Sequence, residues 1–187
     1  VLYFSLLFYH SATHLRKLMF VMVFLSYLGE LLFCKLLGMY YYKGIHIPLY
    51  VPFGHAIVYA SGFIFAKTTW ANQNRVVLKK AFVVFFLLLF SAVGVFLNDI
   101  FSLVFGPIFI LLLLRKKDQN VYGFIALCVI FIELVGTYFQ CWTWVPKIFK
   151  ILTTVNPPMG AVFFYAGGDV LLAKMVSYWD KRITKSE

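Results

Sequence analysis

Charge is what this sequence has least of. Only 13% of its 187 residues are Asp, Glu, Lys or Arg, and the acids number seven. Set beside 63% hydrophobic residues and a mean hydropathy of +0.88, that scarcity excludes a soluble globular domain. Cysteine is nearly absent as well. Cys34, Cys128 and Cys141 are widely spaced and odd in number, which excludes a disulfide framework and a CxxC metal site, so they read as packing residues. The sequence has no GxGxxG, Walker-type loop, GxSxG or HExxH, so the common soluble-enzyme chemistries have no anchor here. Neither an internal repeat nor a low-complexity linker divides the chain, and residues 1–187 read as a single integral membrane helical domain. The chain opens at Val1 on apolar residues without a basic leader, unlike a secretory signal peptide, and is expected to lack its first residues.

What is present is a succession of long apolar runs. At about 1.5 Å per residue, a run of about 20 residues crosses a hydrocarbon core of about 30 Å. Val1–Tyr9, continued through His10 and His14 to Arg16-Lys17, reads as the inner part of an incomplete first span. Leu18–Leu37 forms the second and Pro52–Ala66 the third, with proline suited to a first helical turn. The polar stretch Lys67–Lys80 has room for a short surface helix. Ala81–Leu114 would be about 50 Å long as one helix, too long for a bilayer, and has bases at both ends. It therefore reads as a hairpin of two short helices turning at Asn98-Asp99. Tyr122–Gln140 and Met159–Trp179 complete an all-α polytopic transmembrane bundle of about seven spans.

The bases fix an orientation. Arg16-Lys17, Lys67, Arg75, Lys79-Lys80, Arg115-Lys116-Lys117, Lys181-Arg182 and Lys185 fall in alternate connections and the tail. The opposite connections hold only Lys43, Lys147 and Lys150. The positive-inside rule makes the first group cytoplasmic, with the amino terminus outside and the carboxyl terminus in the cytoplasm. The same placement accounts for the net charge of +10 without nucleic acid, for which no motif or basic face exists. Tyr40–Tyr42, Trp70, Trp142, Trp144 and Trp179 fall near span ends and read as an interfacial belt with an anchoring role only.

Against this background the few intramembrane polar groups stand out. Glu133 interrupts an otherwise apolar run, at a cost of roughly 3 kcal/mol if it faced lipid. It must face protein, water or a cation. Glu30, His55, Asn98-Asp99 and Asp169 join it, and depth counting puts all of them in the outer half of the bundle. Several sit on small-and-polar stripes at helical spacing: Ser26/Glu30/Cys34, His55/Tyr59/Gly62, Ser91/Gly94/Asn98 and Glu133/Gly136/Thr137/Gln140. Tyr165 lies one turn before Asp169. Gly167-Gly168 beside it would let another helix or a ligand approach the backbone closely.

Three readings of this cluster stand. The groups hydrogen-bond helices together; or they form a functional site; or they relay ions or protons. In the functional reading Glu133 and Asp169 are the acid/base pair acting on a lipid or isoprenoid. Glu30, His55 and Asp99 join them as ligands of a divalent metal. The expected partners are membrane lipids and, if the protein is a non-catalytic subunit of a larger assembly, other membrane protein subunits. His10 and His14 are four apart and could share a helix face, where a headgroup-contacting pair is the simpler reading than a metal site. Haem would need paired imidazoles at one depth, and His55 has only the loop residue His46 nearby.

The run Gly160–Ala173, with Gly167-Gly168-Asp169 followed by Leu171-Leu172-Ala173, resembles a helix of the lysoplasmalogenase family of small polytopic membrane proteins. The resemblance covers one helix of seven. The second Gly-Asp expected early in such a chain has no counterpart, and the family is not adopted.

Overall fold

A computed structural model describes residues 1–183. Eight α-helices carry the chain: α1 (Leu2–His10), α2 (Thr13–Glu30), α3 (Tyr50–Ala66), α4 (Thr69–Gln73), α5 (Arg75–Phe96), α6 (Ile100–Arg115), α7 (Gln119–Tyr138) and α8 (Val162–Ile183). A π-helical segment, Leu31–Leu36, prolongs α2, and a 3₁₀ turn, Met159–Ala161, leads into α8. Four helical stretches are long and apolar enough to cross a membrane: Thr13–Leu36, Arg75–Phe96, Gln119–Tyr138 and Met159–Arg182. The apolar helices α3 and α6 are shorter, at 17 and 16 residues. Large apolar side chains such as Phe24, Leu88, Leu111 and Phe131 lie on the surface, while the acids Glu30, Asp99, Glu133 and Asp169 are buried. That inversion, grease outside and carboxylates inside, is how a helical protein embedded in a membrane satisfies its polar groups.

α3 is the central rod and packs most extensively on α7 and α2. A Cβ at Gly62 would lie 2.6 Å from the Cα of Ile125, so the α3–α7 crossing needs glycine there. The expected hairpin is present as α5 and α6, turning at Asn98, whose φ is +56°. Phe82, Phe86 and Phe90, one helical turn apart on α5, are its buried face, and Phe86 meets Phe109 of α6 edge-on at 4.9 Å. α8 then closes the bundle against α2, α7 and α6.

Several sequence expectations need correction. The first run is not one helix through His14. It breaks at Ser11, whose ψ of 153° is extended. Arg16 fastens the break by donating from Nε to the Ser11 carbonyl at 2.7 Å. His10 and His14 therefore lie on different helices, and His14 instead sits 3.7 Å from Asp180. In the Ser91/Gly94/Asn98 stripe only Gly94 is buried; Ser91 and Asn98 are exposed. Gln140, at φ +55° and exposed, likewise leaves the Glu133 stripe. No helix packs closely on Gly167 or Gly168; the space where a Cβ would stand is open at both, which leaves the approach of a ligand as the alternative. Lys185 lies outside the described residues.

The connections at the aromatic end of the bundle hold structure that an all-helical reading omits. β1 (Tyr40–Tyr42) pairs antiparallel with β2 (Trp142–Trp144), with Tyr40 opposite Trp144 and Tyr42 opposite Trp142. A second small hairpin, β3 (Lys147–Ile148) with β4 (Leu152–Thr153), covers the α5–α6 turn. There Thr153 Oγ1 donates to the Asn98 carbonyl at 2.6 Å.

Candidate functional site

Side chains two apart on a strand share a face, and residues directly opposite across a ladder share it too. Tyr40, Tyr42, Trp142 and Trp144 therefore all lie on one side of the β1–β2 ribbon, while Tyr41 is exposed on the other. The ribbon caps the bundle with that face down, and its four polar tips reach the two buried glutamates at the ends of α2 and α7.

Glu30 has three partners. Its Oε2 accepts hydrogen bonds from the Tyr40 and Tyr42 hydroxyls, both at 2.8 Å. Its Oε1 lies 3.0 Å from His55 Nε2. Burial, then the Glu30 charge, push both strand tyrosines well above the ordinary phenol range, so they stay protonated as donors. The π-helical segment begins at the next residue. Such widened turns occur mostly as single insertions and often at functional sites.

Glu133 is satisfied by a separate set. Its Oε2 accepts from Trp142 Nε1 at 2.8 Å and Trp144 Nε1 at 3.0 Å, and its Oε1 from the Tyr165 hydroxyl at 2.6 Å. Gly136, one turn on, makes room: a Cβ there would fall 1.9 Å from the Trp142 ring. The two carboxylate cages touch through their donors, since the rings of His55 and Tyr165 stack with centroids 5.4 Å apart.

Asp169 has no such cage. The residue is 5% exposed, and its carboxyl oxygens, which accept no hydrogen bond from the described residues, open on a cavity. That cavity, of about 100 Å³, is also lined by Glu30, Tyr40, His55, Tyr59 and Tyr165. His55 Nδ1 is also without a hydrogen bond among the described residues. A neighbouring cavity of about 140 Å³ shares Glu30, Tyr40, His55 and Tyr165 with the first and adds Glu133, Trp142 and Tyr50. At the basic end, a vestibule of about 810 Å³ among His14, Lys67, Asp118 and Arg182 has Tyr59 and Ile125 in common with the lining of the Asp169 cavity.

Of the five expected site residues, then, Glu30, His55 and Asp169 line one cavity, and Glu133 borders the next. Asp99 does not join them. It caps α6, with Oδ1 accepting the Ser102 N–H at 2.9 Å and Oδ2 the Ser102 hydroxyl at 2.7 Å. That hydroxyl in turn accepts from the Gly160 N–H at 2.8 Å, tying α6 to the entry of α8. Among the described residues no three His, Cys, Asp or Glu side chains converge to hold a metal ion. The expected five-ligand divalent-metal set is thus not assembled, because phenol and indole donors already occupy the oxygens of Glu30 and Glu133.

Sequence reasoning missed Tyr40, Tyr42, Trp142 and Trp144 as site residues and took them for interfacial anchors. A signal was there in Trp142-Thr143-Trp144, whose alternation puts both indoles on one face of a strand, whereas Tyr40-Tyr41-Tyr42 does not alternate. Comparison with known proteins brings no match: no family model fits the sequence, and no characterised protein or solved structure is significantly similar.

Proposed function

We propose that this chain is a multi-pass membrane protein whose outer half holds an acid–base site for a lipid-soluble molecule. The distribution of Lys and Arg supports about seven spans, with the amino terminus outside and the carboxyl terminus cytoplasmic. One observation carries the chemical reading. His55 is held through Nε2 by Glu30, its other ring nitrogen is unbonded, and the unbonded Asp169 carboxyl lines the same cavity. A carboxylate that fixes one imidazole nitrogen sets the tautomer and leaves the other for proton transfer. The Asp169 oxygens open on the cavity without a donor from the described residues, so a bound molecule is what would complete their hydrogen bonding.

In this reading Glu30 orients His55, and His55 and Asp169 exchange protons with the bound molecule. Glu133, with every oxygen occupied, positions Tyr165 behind the imidazole and does not itself react. The rest of the wall is largely apolar, with Met22, Val58, Val129 and Phe164, and in such surroundings a fixed proton donor and acceptor act more strongly than in bulk water.

The test is lipid profiling by mass spectrometry of cells carrying the wild-type chain or variants at equal membrane abundance. His55→Gln and Asp169→Asn should each abolish one lipid species or accumulate its precursor, while Asp99→Asn keeps the wild-type profile. Profiles identical across wild type, His55→Gln and Asp169→Asn would overturn the reading and leave a non-catalytic subunit of a membrane assembly, recognised by co-purification with its partners. A proton path is the second reading, favoured by Tyr59 and Ile125, which line both the basic-end vestibule and the Asp169 cavity and so leave only side chains between them. Proton flux into proteoliposomes that Asp169→Asn stops would establish it.

A further inference from the structure

The central cavity is bounded on two sides by half-buried residues of neighbouring helices: Leu25, Gly29 and Phe33 from α2 and its π-helical extension, Phe164 and Gly168 from α8. On the outer surface next to them, Leu28, Leu32 and Leu171 are exposed, as expected of a face in contact with lipid tails. The cavity lining therefore comes out to the apolar surface along the seam where α2 packs on α8. Two glycines thin that seam. A Cβ at Gly168 would meet nothing within 4 Å, and one at Gly29 would meet only the Phe33 ring, at 4.0 Å. Phe33 and Phe164 cross it edge-to-face with centroids 5.2 Å apart.

Charge and size restrict what can enter. The cavity lining holds two carboxyls, Glu30 and Asp169, and no lysine or arginine, so a phosphate or carboxylate headgroup would be buried against like charge. A volume of about 100 Å³ is smaller than the roughly 150 Å³ of a cavity that takes up benzene, which suits a small polar end better than a glycerophospholipid head. The unbonded groups on the wall, the Asp169 carboxyl and His55 Nδ1, can each take part in one hydrogen bond with a small uncharged polar group. A hydroxyl, which both donates and accepts, suits this pair.

We infer that the substrate is an uncharged long-chain lipid with a small polar end, such as a hydroxyl. It enters sideways from the bilayer between α2 and α8, with its head at Asp169 and His55 and its chain lying outward past Gly29 and Gly168. This rests on the acid–base reading of the same site and adds the class of molecule and its route.

Gly167 and Gly168 provide the test. Both have open space beside them and both sit within α8, but only Gly168 lines the cavity. A photoactivatable long-chain alcohol and its phosphate ester are each incorporated into proteoliposomes with the full chain, and labelled peptides are mapped. The alcohol should label the segments around Gly29–Phe33 and Phe164–Asp169. Gly168→Leu should cut that labelling at least tenfold and Gly167→Leu should leave it within twofold, with both variants keeping the wild-type thermal midpoint. Phe33→Ala, which opens the seam, should raise it. Equal labelling of the two glycine variants, or stronger labelling by the phosphate ester, would overturn the inference. Labelling reads binding and not chemistry, and Asp99→Asn, which lies outside the cavity lining, should be labelled as the wild type is. Portal labelling with unchanged lipid profiles would sink the acid–base reading alone, and altered profiles without portal labelling would sink the route alone.

Discussion

The imidazole of His55 and the phenol ring of Tyr165 stack with centroids 5.4 Å apart and planes 22° from parallel. Each ring serves a different carboxylate, His55 meeting Glu30 and Tyr165 meeting Glu133. Two glutamates from separate helices are thus joined through the flat faces of their own partners. Tyr165→Phe keeps the stack and removes only the hydroxyl that donates to Glu133. The loss of one hydrogen bond to a buried charged group should cost about 1.5–3 kcal/mol, read as a lower thermal midpoint in detergent. Because His55 keeps its packing and its bond to Glu30, the lipid profile should persist at reduced abundance.

The two indoles on Glu133 should not be equivalent. Trp144 is 6% exposed, packs with Tyr40 and Phe101, and also has its backbone N–H bonded to Asn156. Trp142 is half-buried. Trp144→Phe should therefore cost more stability than Trp142→Phe. In a double-mutant cycle with Glu133→Gln, both indoles should show coupling with the carboxylate of about 0.5–3 kcal/mol. Additivity for Trp144 would mean that its indole N–H does not serve Glu133.

The strand register makes a sharper prediction for the neighbouring tyrosines. Tyr40 and Tyr42 face Glu30, and Tyr41 between them is exposed. Tyr40→Phe and Tyr42→Phe should each lower the thermal midpoint, while Tyr41→Phe should leave it unchanged. The pH dependence has a definite sign. Both phenols are raised above their ordinary value by burial and by the Glu30 charge, so the folded state holds protons that the unfolded chain gives up near pH 10. Their contribution is complete below that pH and falls as pH rises through it. Alkaline unfolding followed by tyrosine absorbance should show these two phenols ionising only with loss of fold.

How much of this could be read beforehand follows from what each element is built of. The hairpin at Asn98-Asp99 was legible because one helix of that length outruns a bilayer, and bases at both ends agree with a reversal. Glu30, His55, Glu133 and Asp169 were legible because a charged or polar group in an apolar run demands a partner. What length and hydropathy do not reveal is which group serves as that partner. Asp99 looked like the others by depth, yet it sits at a helix start, where a carboxylate has a local duty to the first backbone N–H groups. The tryptophans looked like membrane anchors because belts of Trp and Tyr are common at span ends. Their alternation, which marks a strand, was only three residues long and too short to outweigh that expectation. The stripe of Ser91, Gly94 and Asn98 misled because nearly all of α5 is apolar. The buried face there is set by the Phe82, Phe86 and Phe90 rings and not by polarity.

The capping role of Asp99 separates structure from chemistry at one acid. Asp99→Asn keeps an acceptor for the Ser102 N–H, since asparagine caps as well as aspartate, and should cost under about 1 kcal/mol. Asp99→Ala removes both acceptors and leaves the Ser102 hydroxyl, itself bound by the Gly160 N–H, without the oxygen it donates to. Losing the cap alone should cost about 0.5–2 kcal/mol. The freed hydroxyl adds to that, because Gly160 packs directly on Ser102, with a Cβ there only 2.8 Å from the Ser102 Cα. Ser102→Ala should reproduce most of the Asp99→Ala loss, and the double variant should fall well short of the sum. A fully additive pair would show that the carboxylate and the hydroxyl stabilise the α6–α8 junction separately and would break the chain from Asp99 to Gly160.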